Sequence, residues 1–368
     1  MFAFSSIVSL FLGLLTLSVV IKQMTSLSMP RAITLFKTNK PRVGRLIRLS
    51  SPFEGLKRFI GLLLIRLSRR DCGVVTDMMI EETKTRFYYP NDYEVLNEDN
   101  KYKAIIFIHG GGWVSGSVPR KDLFCRMLSH DTESIVIQIY YKKAPEHPFP
   151  TGLMDCFVVA KNIIEHGEVY GIDPTNVVIS GDSAGGNLAL FTAMMLRDAG
   201  LKAKGLNLIY PALLTDFSGT SYNVPEYSKY SCNKAMMMLV WSLYAPPVCD
   251  IDLEKVIKEE KLDTKEMLET AYHKGSVITC MMQYFALNEN TSYVDLPPVA
   301  AFISTNDVLM DDSAYLKEQL LEANIEYTEA FTEQLHGYMS CVNTWFSLDK
   351  VVIAENDRIT KQIMELQK

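Results

Sequence analysis

The sequence predicts an α/β fold: a mostly parallel sheet flanked by helices, with an N-terminal membrane helix. Three observations carry this expectation. Short apolar and β-branched runs alternate with longer helical patterns, the signature of a parallel sheet. One strand-then-helix passage bends around the pentapeptide Gly181-Asp182-Ser183-Ala184-Gly185. The 368 residues suffice for one large core with insertions and do not demand two domains.

In chain order, residues 2–21 contain no charged side chain, and as a helix they would reach about 30 Å, enough to cross a bilayer. No Lys or Arg precedes Lys22, whereas a cleavable signal peptide has a positive start and a shorter apolar core. Residues 1–22 are therefore expected to be a retained signal anchor. Between residues 22 and 70 there are twelve Lys or Arg and one acid, Glu54, a net +11; the total of −6 leaves −17 for the rest. Inside that basic part, Leu56-Lys57-Arg58-Phe59-Ile60-Gly61-Leu62-Leu63-Leu64-Ile65-Arg66-Leu67 has an apolar centre and cationic ends. Such a helix suits a lipid interface or a lid over a site. The basic segment and the first, weakly patterned strands (71–89) together occupy 23–100.

A first core portion is expected over 101–212. Lys103-Ala104-Ile105-Ile106-Phe107-Ile108 reads as a buried strand and runs into His109-Gly110-Gly111-Gly112-Trp113. Consecutive glycines let main-chain N–H groups approach a developing oxyanion closely. Further on, Asn176-Val177-Val178-Ile179-Ser180 is a strand pattern, and the apolar stretch 188–196 is a helix that stops at Gly200. The Gly-x-Ser-x-Gly turn between them is the strained elbow that presents a nucleophilic serine.

A serine of this kind needs a base and an orienting acid, which follow it in the order acid, then histidine. Only His273 and His336 follow Ser183. His273 sits in a polar, irregular stretch, while His336 follows the alternating segment 325–331, so His336 is the expected base. Val299-Ala300-Ala301-Phe302-Ile303-Ser304 is a strand whose end leads to Asp307. Asp307 is the first candidate for the acid; Asp311 and Asp312 are rivals, Asp312 also reading as the start of a helix that its carboxylate would cap. The amides of Gly111, Gly112 and Ala184, within the stretch that includes His109 and Gly110, are the expected oxyanion donors.

These motifs resemble the hormone-sensitive-lipase branch of the α/β-hydrolases, within it the arylacetamide deacetylase and neutral cholesterol ester hydrolase group. The residues carrying the resemblance are 109–113, Ala144-Pro145-Glu146-His147-Pro148-Phe149-Pro150, Gly171-Ile172-Asp173-Pro174, 181–187 and Ile209-Tyr210-Pro211-Ala212-Leu213. It covers about 100–215 and resumes from about 297. It implies an α/β-hydrolase fold, cleavage of carboxylic esters or aryl amides through Ser183, Asp307 and His336, and helical caps formed by about 23–100 and 213–296, with the core resuming over 297–368. The chain departs from the family at Met310, where an arginine is common, and at Tyr141-Lys142-Lys143, where Tyr-Arg-Leu is common. The second cap is rich in Met and Tyr (Met236, Met237, Met238, Tyr222, Tyr227, Tyr230), which suits ordinary core or an adaptable acyl pocket.

The expected ligand is a small-molecule or lipid ester, with no cofactor, metal, nucleic acid or protein partner called for. The seven cysteines show no CxxC pair or metal spacing, and there is no phosphate loop, repeat or low-complexity segment. The basic flank after the span favours a cytosolic side, while the resemblance favours the lumen of the endoplasmic reticulum. The sequon Asn290-Thr291-Ser292 is a glycosylation candidate usable only in the lumen. A competing function class is a catalytically silent binding protein on the same fold, as the plant gibberellin receptor resembles. Retention of Ser183, Asp307 and His336 separates the enzyme from that class.

Overall fold

Apolar runs that are buried on both faces build the centre of the molecule. The computed structural model describes residues 29–38, 40–48, 70–91, 93, 101–229, 232–339 and 350–368; the stretches 2–21 and 56–67 lie outside the described residues. Among these, β1 (Val75–Ile80), β2 (Thr83–Tyr88), β3 (Tyr102–Ile108), β4 (Ile135–Ile139), β5 (Ile172–Asp182), β6 (Gly205–Ile209), β7 (Val299–Asn306) and β8 (Tyr327–Leu335) form one sheet. Its order is β1-β2-β4-β3-β5-β6-β7-β8. The weakly patterned stretch becomes the antiparallel pair β1–β2, and β2 also runs antiparallel to β4; every later pairing is parallel. The register places Ile106 between Ile137 and Ile179.

Ten helices lie among the described residues: α1 (Met29–Thr38), α2 (Lys40–Arg48), α3 (Val118–Thr132), α4 (Thr151–His166), α5 (Ala184–Asp198), α6 (Lys234–Tyr244), α7 (Leu253–Glu259), α8 (Thr264–His273), α9 (Met310–Glu322) and α10 (Lys350–Leu366). The strand period of two sorts side chains into two cores. Ala104, Ile106 and Ile108 face the layer of α4, α5 and α9. Ile105 and Phe107 face α3 and α10. Strands sandwiched in this way tolerate few polar side chains, which is why β3 and β5 read as continuous apolar runs. Burying each such side chain contributes about 1.5–3 kcal/mol.

Between β6 and β7 the chain leaves the sheet for α6, α7, α8 and short 3₁₀ turns. Each helix carries its own start signal. Asn233 accepts a hydrogen bond from the Met236 amide, Asp252 from Glu254, and Asp263 from Lys265 and Glu266. Caps of this type contribute about 1 kcal/mol each. Within α6, Met237 and Met238 are buried, so this part of the methionine run is core. From the N-terminal side, α1 reaches the same insertion, where Lys37 pairs with Glu254 at 3.0 Å on the surface.

Candidate active site

The parallel strands deliver four loops to one edge of the sheet, their C-terminal edge. Ser183 follows β5, the glycine loop follows β3, Asp307 follows β7 and His336 follows β8. Ligand sites of open α/β sheets form at this edge.

Ser183 has φ 57° and ψ −124°, a strained conformation for a non-glycine residue. The surrounding backbone enforces it. The Ser183 amide donates to the Ile209 carbonyl at 2.9 Å, and its own carbonyl accepts from the amides of Gly186, Asn187 and Ala212. The glycines are required by close approach. A Cβ on Gly185 would lie 2.1 Å from the Ile108 oxygen, and one on Gly110 would lie 2.5 Å from the Asp182 oxygen and 3.0 Å from Ser183 Cβ. The glycine loop and the elbow are therefore in van der Waals contact, and only glycine permits it.

Three side chains from distant loops meet here. His336 Nε2 lies 2.9 Å from Ser183 Oγ, and His336 Nδ1 lies 2.5 Å from Asp307 Oδ2. The second oxygen of Asp307 accepts from the Leu309 amide at 3.0 Å, which locks the buried carboxylate in place. The Tyr210 ring packs edge-on against the imidazole with centroids 4.8 Å apart. Burial opposes charge on His336, but the Asp307 carboxylate and Cys232 override it and hold the imidazole pKa well above its ordinary value.

The rival residues are sent elsewhere. Asp312 does not cap its helix: it lies inside the first turn of α9, and its Oδ2 accepts from the amides of Leu213 (2.6 Å) and Leu214 (2.9 Å). Asp311 Oδ2 accepts from Ser221 at 2.9 Å. His273 ends α8 and is exposed.

Within the glycine loop the roles divide. The Gly110 amide donates to Asp182 Oδ1 at 2.9 Å, so it is committed and does not face a ligand. The His109 ring is buried, and burial pushes its pKa down to about 3, so it is neutral. Its Nδ1 lies 2.9 Å from the Gly110 carbonyl, which assigns the proton to that nitrogen. Its own carbonyl accepts from the Tyr141 hydroxyl at 2.8 Å. His109 and Gly110 thus shape the loop. Among the described residues the amides of Gly111, Gly112 and Ala184 have no protein acceptor, and these are left as donors.

Sequence reasoning missed three residues at this site. Lys121, buried on α3, lies 2.7 Å from Asp182 Oδ2, so Asp182 ties a cation, the elbow and the glycine loop together. The third is Cys232, just before the cap of α6. The sequence shows no metal spacing, yet the fold gathers ligand atoms of Cys232, Asp307 and His336 within 4.8 Å of one another. Asp182 stood in the elbow motif; nothing local marked Lys121 or Cys232. A cleft of about 830 Å³ opens at the opposite edge, lined by Lys204, Glu326 and Arg358 among others, far from this chemistry.

A profile of the α/β-hydrolase fold family matches residues 105–340. Arylacetamide deacetylase-like 3 of Mus musculus is 38% identical over 180 residues, 48% of this chain and 41% of that protein. Carboxylesterase NlhH of Mycobacterium tuberculosis is 28% identical over 303 residues, covering 80% of this chain and 81% of that protein. An esterase of Pyrobaculum calidifontis superposes with a TM-score of 0.64 at 25% identity, over 89% of this chain and 98% of its own. With the strand order, the elbow and these similarities together, the chain belongs to the α/β-hydrolase fold family, in its hormone-sensitive-lipase-like branch.

Proposed function

We propose that this protein is a membrane-anchored serine hydrolase of carboxylic esters, acting on lipid esters, small acetyl esters or aryl amides. The observation that carries the reading is the hydrogen-bonded chain Asp307–His336–Ser183 beside uncommitted amides. Ser183 Oγ attacks the acyl carbonyl while His336 Nε2 takes its proton. Asp307 keeps the other ring proton on Nδ1 and stabilises the imidazolium. The amides of Gly111, Gly112 and Ala184 receive the oxyanion, each worth about 10²–10³ in turnover. His336 then protonates the leaving alcohol or amine, and water, activated by the same imidazole, releases the acid from Ser183. The names of the mouse and mycobacterial relatives support both deacetylase and carboxylesterase activity.

The anchor is residues 2–21, with the catalytic domain on the lumenal face of the endoplasmic reticulum. Support for that side is the sequon at Asn290, which is exposed, its amide donating to Asn288 Oδ1. The domain reading is 1–22 anchor, 23–100 basic segment and first strands, 101–212 and 297–368 core, and 213–296 cap.

Turnover of nitrophenyl esters from acetate to palmitate by the full-length chain and its Ser183→Ala form tests the activity. The expected loss is about 10⁴–10⁶-fold in kcat with folding retained. A short-chain optimum would favour a deacetylase, a long-chain optimum a lipid esterase. Folded protein without serine-dependent turnover on any ester would overturn the proposal.

A further inference from the structure

Cys232 lies beside the imidazole and has no task in the proposed chemistry. It is half-buried and is held in place by its successor. Asn233 caps α6 through the Met236 amide at 3.0 Å, and α6 is fastened to the glycine loop. The Val240 side chain lies 3.0 Å from where a Cβ on Gly112 would be, and the Trp241 ring packs on Trp113 at 4.2 Å between centroids. The thiol thus sits one residue before the cap of a helix packed on the glycine loop, close to His336. Beside it, the buried hydroxyl of Tyr222 has no hydrogen-bond partner among the described residues and is within electrostatic reach of Cys232 and Asp307.

We propose that Cys232, His336 and Asp307 form an inhibitory site for a soft divalent cation, Zn²⁺ being the best match. The donor set is one sulfur, one imidazole nitrogen and one carboxylate oxygen, which is borderline-soft. Tetrahedral zinc with Zn–S near 2.3 Å and Zn–N and Zn–O near 2.0–2.1 Å needs donors about 3.5 Å apart. The three atoms lie within 4.8 Å of one another, and side-chain rotations that part the 2.5 Å Nδ1–Oδ2 contact by about 1 Å admit the ion. Three protein ligands leave a fourth position for water. Coordination through His336 Nδ1 releases the thiol proton to solvent, moves the ring proton from Nδ1 to Nε2, and changes no oxidation state. The bound ion takes Nδ1 and the carboxylate, and Nε2 then carries the ring proton, so His336 can no longer accept the Ser183 proton.

This inference rests on the hydrolase reading for its inhibitory effect but not for its binding, and the experiment separates the two. Ester turnover by the full-length protein is followed against free Zn²⁺, with each form scored against its own metal-free rate. Wild-type protein loses activity and regains it with chelator. The Cys232→Ala form requires about 10–100-fold more Zn²⁺, the scale on which metal sites respond to a lost support. Equal sensitivity of the two forms overturns the proposal. Co²⁺ serves as the spectroscopic probe. A thiolate-to-cobalt charge-transfer band that persists in Cys280→Ala and disappears in Cys232→Ala supports the site. A band absent from wild type, or insensitive to Cys232→Ala, overturns it. A Cys232-dependent band in a protein without ester turnover keeps the site and refutes the hydrolase reading.

Discussion

The elbow edge of the sheet and the cap insertion are built by opposite strategies. At the edge, one strained serine and a few glycines are trapped by surrounding backbone, so each position is dictated by several others at once. In the insertion, α6, α7 and α8 each carry a private side-chain start signal, and a 3₁₀ turn links α6 to α7. The edge must hold reacting atoms to a fraction of an ångström. On the proposed reading the insertion only surrounds the ligand, and specificity would change there without disturbing the chemistry. The elbow edge is over-determined; the insertion is modular.

The largest test of that contrast is Asp307→Asn. The amide cannot hold the imidazole in the required tautomer, so kcat should fall about 10⁴-fold while the fold persists. Burial lowers the His336 pKa, and the carboxylate is the principal group that raises it. Removing the carboxylate charge therefore shifts the imidazole downward, and the acid limb of kcat/KM should move to lower pH. A limb that stays in place would assign that ionisation to another group.

Next in size is Lys121→Met. It leaves the Asp182 carboxylate buried without its cation, which typically costs about 3–5 kcal/mol. Because Asp182 also receives the Gly110 amide, the glycine loop loses its tether to the elbow. The urea midpoint should drop and short-ester kcat with it. Adding Asp182→Asn should restore much of the stability, since the stranded charge is gone. Unchanged stability in Lys121→Met would mean that the edge does not depend on this pair.

Legibility in the sequence follows the same division. The elbow, the strands β3, β5 and β7 and the triad candidates were readable because their signals are local: apolar runs that end in glycine or in a charged residue. Asp307 stood out from Asp311 and Asp312 because it comes first after its strand. The Lys121–Asp182 pair spans 61 residues, and no local rule marks a lysine on a helix as buried. Cys232 is the same case, a thiol given meaning only by where α6 docks. The Asp312 reading failed because a helix-cap rule considers only its own helix, whereas the nearest unpaired amides came from the chain leaving β6.

That same Asp312 is the joint between the two regions, and it gives the smallest but most diagnostic effect. Burial pushes its carboxyl pKa up to about 8, against the downward pull of the Leu213 and Leu214 amides. An unfolded aspartate ionises near pH 3.9. Between these values the folded protein keeps a proton that the unfolded chain releases. The stabilisation from that proton is complete below about pH 4 and drains away as pH rises toward about 8. Asp312→Asn has nothing to release there. The stability difference between wild type and this variant should therefore change with pH across that window, moving steadily in the variant's favour as pH rises. Parallel stability curves would show that the carboxylate is already ionised in the folded state. The insertion would then be fastened to the elbow edge by a charged acceptor for two amides, and the joint would not loosen as pH rises through neutrality.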